Sequence, residues 1–117
     1  MQIGEEKCRG VLVVTPFGRV DSTNASALEQ VLLARVGSGE RRVVMDMAGI
    51  DYISSAGLRV FLRLAKKLKE LGGGLAMGAM GEPVRQVFEL AGFLPLFTIE
   101  PSRELALARL GPDRPTP

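Results

Sequence analysis

Two adjacent hydroxyls, Ser54 and Ser55, stand where an apolar loop gives way to a strongly periodic helical stretch. Serine at such a place has two uses. Its oxygen can cap the helix by accepting a hydrogen bond from a first-turn backbone N–H. It can also accept a phosphoryl group, which adds about −1.5 to −2 charges at the positive end of the helix dipole. A helix start tolerates that charge, so such a modification would rewrite the surface a partner sees without refolding the domain. A second polar cluster, Asp21-Ser22-Thr23-Asn24, precedes an earlier helical pattern, and Asp21, Ser22 and Thr23 are its N-cap candidates.

The other residues with chemical potential read more simply. Asp46 and Asp51 could share Mg²⁺, but no phosphate loop or further ligand accompanies them; strand-end and loop hydrogen bonding suffices. Gly72-Gly73-Gly74 follows a helix and enters a strand, the reverse of a phosphate cradle, so it reads as a helix terminator. Met45, Met47, Met77 and Met80 fit core filling, and nothing near Cys8 in sequence would activate its thiol. Arg59, Arg63, Lys66, Lys67 and Glu70 share one arc of the helix after Ser55, which is either a solvated face or a surface for an anion or acidic partner.

Composition narrows the field. The chain has no His, which removes imidazole as base, relay or zinc ligand, and its one Cys allows no internal disulfide. A free thiol, with no signal-peptide pattern and no apolar run near 18 residues, places the expected protein in the cytoplasm, off the membrane. A net charge of +2, from 15 basic and 13 acidic residues, gives no nucleic-acid signature. With 117 residues, 46% of them apolar, the chain suits one globular domain. No metal or cofactor is expected.

These residues must be positioned by alternating strands and helices. Residues 2–8 and Val11–Thr15 read as a hairpin through Arg9-Gly10, with Phe17–Val20 continuing towards a turn. A helix follows to Gly37–Gly39, then a strand over Arg42–Met47 and a loop over Ala48–Ile53. The helix from Ser54-Ser55 to about Leu71 carries Leu58, Phe61, Leu62, Ala65 and Leu68 on one stripe. Leu75–Met80 is a buried strand, Pro83 opens a third helix ended by Gly92, Leu96–Ile99 is the last strand, and Ser102 caps a last helix. Strands alternating with helices imply a small, mostly parallel α/β sheet of four to five strands, with an N-terminal hairpin strand and about four helices. Residues 1–110 form the expected domain, and the Pro-rich residues 111–117 a flexible tail.

The stretch Val43-Val-Met-Asp-Met-Ala-Gly-Ile-Asp-Tyr-Ile-Ser-Ser-Ala-Gly-Leu-Arg-Val-Phe-Leu62 closely resembles the centre of STAS domains, in particular the bacterial anti-sigma factor antagonists. Phe17-Gly-Arg-Val-Asp-Ser-Thr-Asn-Ala25 and Pro83-Val-Arg-Gln-Val-Phe-Glu-Leu-Ala-Gly-Phe-Leu94 resemble two further segments of that family. The resemblance implies a sheet with its helices on one side and the hairpin strand at an edge. It also implies a non-enzymatic partner switch. The unphosphorylated antagonist binds an anti-sigma factor that is also a GHKL-type serine kinase, and the sigma factor is released. The kinase then phosphorylates the antagonist, the complex dissociates, and a PP2C-type phosphatase resets it.

By position, the resemblance makes Ser55 the phosphoacceptor. Ser54 stands where well-known members carry Asp and offers a second acceptor hydroxyl; Ala56 replaces a hydroxyl found in some members. The implied partner face comprises Asp21, Ser22, Thr23, Asn24, Tyr52, Ser54, Ser55, Ala56, Gly57, Arg59 and Arg63. Gly57 would allow close approach of a partner backbone, or equally tight packing of its helix. No direct contact with nucleic acid or membrane is expected, and the protein would be a monomer or weak dimer. The alternatives are a STAS subunit of a phospholipid-transport ABC system and a partner-switching regulator whose output is not a sigma factor.

Overall fold

A computed structural model describes residues 1–110; the expected tail, 111–117, lies outside the described residues. The chain opens with the hairpin. Strands β1 (Gln2–Cys8) and β2 (Val11–Val20) pair antiparallel from Cys8–Val11 to Gln2–Phe17. Arg9 and Gly10 turn the chain at φ 54° and 81°, the left-handed pair that matches the twist of two joined strands. Then follow α1 (Ala25–Gly37), β3 (Arg42–Asp46), β4 (Ile50–Ile53), α2 (Ser55–Glu70), β5 (Gly74–Gly78) and α3 (Glu82–Leu90). A 3-10 turn (Leu94–Leu96), β6 (Thr98–Glu100) and α4 (Arg103–Leu110) complete the described chain. The strand order is β1-β2-β3-β5-β6, and every pairing except the hairpin is parallel.

β4 is the strand that the sequence reading misses, because it takes Ala48–Ile53 for a loop; the 3-10 turn likewise takes Leu96 out of the expected last strand, which begins at Thr98. β2 is ten residues long, and β3 covers only Leu12–Val14 of it. The register slips between Gly18 and Arg19, with Gly18 at φ 90°, and the outer end of β2 then pairs with Ile50–Ile53. That extra strand brings the sheet to six and carries the chain straight into α2.

Alternate residues of the central strands face two separate cores. Leu12, Val14, Val43, Met45 and Met77 pack with α1 (Leu28, Leu32), α2 (Leu58, Phe61, Leu64, Leu68) and α3 (Val84, Phe88). Val11, Val13, Val44 and Ala76 face the other way and pack with Ala106 of α4, with Cys8, Leu107 and Leu110 at the rim. The expectation of all helices on one side is therefore corrected: α1, α2 and α3 cover the front, and α4 covers the back. The physical reason is the continuous apolar run Val11-Leu-Val-Val14, whose two faces both need cover. Ser102 caps α4 as expected, accepting from Leu105 N–H at 3.1 Å. Arg103 of α4 reaches both Glu6 of β1 and the nearly buried Asp46 of β3. Met45, Met47 and Met77 are fully buried core residues. No helix among the described residues is long and apolar enough to cross a membrane.

Candidate functional site

The start of α2 is fastened to the sheet before the helix begins. Ser54 N–H donates to the Val20 carbonyl at the end of β2, at 2.9 Å. Ser54 has extended backbone angles, its carbonyl accepts the first helical bond from Leu58 N–H at 3.0 Å, and its Oγ accepts from Gly57 N–H at 3.5 Å. Ser54 is thus the N-cap. Ser55 is the first helical residue, is exposed, and its hydroxyl has no protein hydrogen-bond partner among the described residues. The two serines divide the two uses that their type permits: one caps, the other is presented.

Gly57 explains how α2 lies so close. A Cβ there would stand 2.7 Å from Val20 Cγ1 and 2.8 Å from Ile53 Cγ1. Gly57 is buried and turned to β2 and β4, so it belongs to the packing of the helix rather than to an outer partner face. Ala56 is half-buried against the front core.

The β2–α1 loop lies beside this helix start, because Val20 joins both. Asp21 Oδ1 accepts from Thr23 N–H at 2.9 Å and from Thr23 Oγ1–H at 2.5 Å. Those bonds, and then the charge of Arg19, hold the Asp21 carboxyl below its ordinary value. Asp21, Ser22 and Thr23 were the expected caps of α1, but the cap position falls to Asn24, whose side chain makes no cap bond. Asn24 instead turns back, accepting from Asp21 N–H at 2.9 Å and donating to the Arg19 carbonyl at 2.8 Å. The loop is folded on itself, with Ser22 and Thr23 exposed.

Arg19 and Tyr52 are partners across β2 and β4. The Arg19 guanidinium lies 4.2 Å from the centre of the Tyr52 ring and 3.6 Å from Asp21 Oδ2. Both residues stay exposed, Tyr52 at 41%, as does Phe17 at 45%. Arg59 is exposed one turn beyond Ser55 and forms no ion pair among the described residues. Arg63 is different. It donates to both Glu29 oxygens, at 2.5 and 3.0 Å, tying α2 to α1. That pair raises the Arg63 pKa and lowers that of Glu29.

The structure groups Asp21, Ser22 and Thr23 with Arg19 and Tyr52 through the contacts of Arg19, with Asn24 as the brace of the loop, and ties Ser54 to the same strand end through Val20; Ser55 and Arg59 are exposed on α2. Gly57 belongs inside, and Arg63 is engaged within the domain. Arg19, in contact with both Asp21 and Tyr52, is the residue that sequence reasoning missed. An exposed guanidinium beside Gly18 is a signal only once the bulge sets its direction. Asp51 lies in β4, not in a loop, and no group of three or more His, Cys, Asp or Glu residues could hold a metal ion among the described residues. Arginine and tyrosine, both exposed here, are residue types enriched in protein contacts, and Ser55 presents a hydroxyl that no protein group engages among the described residues.

The family model described as STAS domain matches residues 4–106. Among known proteins, the chain is 47% identical over 108 residues to BtrV of Bordetella bronchiseptica, provisionally named an anti-sigma factor antagonist, covering 92% of this chain and 93% of that protein. A crystal structure of an anti-sigma factor antagonist from Mycobacterium paratuberculosis superposes with a TM-score of 0.85 at 28% identity, over 93% of this chain and 92% of that one. The fold is also that of Bacillus SpoIIAA in its phosphorylated form, with a TM-score of 0.71 at 18% identity, over 94% of this chain and 100% of that one.

Proposed function

This chain belongs to the STAS domain family, and from that premise we propose that it is an anti-sigma factor antagonist controlled by phosphorylation at Ser55. In this reading the unphosphorylated face around Ser55, Asp21–Thr23, Tyr52 and Arg59 binds an anti-sigma factor that is also a GHKL-type serine kinase. Phosphorylation of Ser55 ends the binding, and a PP2C-type phosphatase restores it. The names of the relatives, anti-sigma factor antagonists in two organisms, support the first part.

One observation carries the second part: Ser55 is an exposed hydroxyl at the first helical position whose capping duty is taken by Ser54. A kinase can reach it, and its modification leaves the cap intact. The energetics suffice for a switch. An interface of ordinary size buries about 1,600 Å². Forcing a doubly charged phosphate into it without a matching cation costs several kcal/mol, and about 1.4 kcal/mol already lowers affinity tenfold. Arg59 does not remove that cost, because a partner closing on the face must still desolvate both groups.

The test compares wild type, Ser55→Ala and Ser55→Asp as bait in lysate of the native cell, with ATP or ADP present and bound proteins identified by mass spectrometry. A serine kinase held by wild type and Ser55→Ala, and lost by Ser55→Asp, is the expected result. Equal capture of that kinase by Ser55→Ala and Ser55→Asp refutes the switch. An ABC-type ATPase held equally by all baits would replace this reading with a constitutive transport subunit.

A further inference from the structure

We propose that the end of α2 remote from Ser55 forms, with β5 and the segment entering β6, a binding site for a medium-chain carboxylate. An open groove of about 410 Å³ lies there, within the volume range of small-molecule sites. Its walls are Leu62 and Ala65 of α2, Leu75 of β5, and Pro95, Leu96 and Phe97. Phe97 packs edge-on against Phe88 of α3, with ring centres 5.5 Å apart. Leu96, in the 3-10 turn at the rim, is 53% exposed.

The polar groups are placed for one kind of head group. Lys66 and Lys69 also line the groove, and at i and i+3 they stand on one side of α2. Both are exposed, and neither forms an ion pair or side-chain hydrogen bond among the described residues. No carboxylate lines the groove. Thr98 adds a hydroxyl with no side-chain partner among the described residues. An apolar hollow rimmed by two uncommitted ammonium groups fits an aliphatic tail with an anionic head. At roughly 30 Å³ per heavy atom, the volume holds about a dozen such atoms, the size of decanoate.

The site is independent of the phosphorylation reading. Ser55 and Lys66 are separated by about 16 Å along the helix axis, at 1.5 Å per residue. The test is a titration of the full chain with decanoate, followed by amide NMR. Saturable shifts are expected at Lys66, Lys69, Leu75 and Leu96–Thr98, with a dissociation constant on the order of 1 mM or tighter, as the usual efficiency of ligands this size gives. The double substitution Lys66→Glu/Lys69→Glu lies on an exposed face and is expected to weaken binding at least tenfold. Leu96→Ala is expected to weaken it several-fold. Decyltrimethylammonium, with the same tail and the opposite charge, is expected to give no shifts at these amides. Any one of three results overturns the proposal: no saturable shift there, unchanged affinity in the charge-reversed variant, or equal binding of the cation. Binding of decyl phosphate at least tenfold tighter than decanoate overturns the carboxylate assignment in favour of a phosphate monoester.

Discussion

Gly57→Ala tests the most specific claim about how the site is built. The added methyl group would meet Val20 Cγ1 at 2.7 Å, Ile53 Cγ1 at 2.8 Å and Ile53 Cδ1 at 3.3 Å. Val20 and Ile53 are β-branched and buried at 0% and 1% exposure, so neither can swing away cheaply. Overpacking of this kind costs about 1–3 kcal/mol. Replacing Gly by Ala inside a helix returns at most about 1 kcal/mol of propensity. The net expectation is a loss of about 1 kcal/mol, which for a domain of this size lowers Tm by roughly 4 °C. Calorimetry or chemical unfolding reads that change directly. The cause is isolated by a double-mutant cycle with Val20→Ala, which removes the nearest methyl group. The pair is expected to be less destabilising than the sum of the single changes by at least about 0.5 kcal/mol. A rise in Tm on Gly57→Ala, or strict additivity with Val20→Ala, would mean that α2 does not rest on β2 and β4 as described. The position assigned to Ser55 would then lose its basis.

The remaining predictions address the serines, the loop and the back of the sheet. Ser54→Ala is expected to lower stability by about 0.5–1 kcal/mol, near the low end for caps because its bond is 3.5 Å long. Ser55→Ala should stay within about 0.5 kcal/mol of wild type in the same unfolding assay. The Asp21 carboxyl is held low by Thr23, so what the ionised group contributes is present above the ordinary carboxylate pKa and is lost as pH falls through the lowered value. An NMR titration should show the Thr23 amide resonance moving only in that acidic range, and Thr23→Val should raise the midpoint. Ala106→Leu is expected to cost about 1–3 kcal/mol because Ala106 has no exposed surface against the sheet; a neutral or stabilising effect would place α4 in solvent.

The legible parts of the molecule are those with local causes. The period of Leu58, Phe61 and Leu68, with lysines and arginines on the other arc, is enough to place α2, and a serine pair at its start marks the functional end. The hairpin follows from a left-handed turn at Arg9-Gly10. What stays hidden depends on pairing across distance. Ile50–Ile53 is too short for alternation to declare a strand, and it becomes one only because β2 outruns β3 and slips at Gly18. The side taken by α4 rests on Val11, Val13, Val44 and Ala76, residues whose small size suits either face. The site shows the same division. Ser54 and Ser55 are readable as a pair, but which one caps is decided by backbone angles. Arg63 has the same residue type and helix arc as Arg59, yet Glu29 of another helix claims it. Asn24 reads as a surface loop residue until its amide is found bracing Arg19 and Asp21.

The stacked pair of Arg19 and Tyr52 has a spectroscopic consequence. Tyr52 is the only tyrosine in the chain, and there is no tryptophan. Essentially all the ultraviolet emission of the protein therefore arises from one ring, and that ring lies on the proposed recognition face with a guanidinium 4.2 Å from its centre. A partner closing over this face would change the polarity, quenching and rotational freedom of that single fluorophore. A tryptophan brought near by the partner would draw energy from it. Association can thus be followed by the protein's own light, without a dye, and Arg19→Lys would alter the starting signal while leaving the emitter in place.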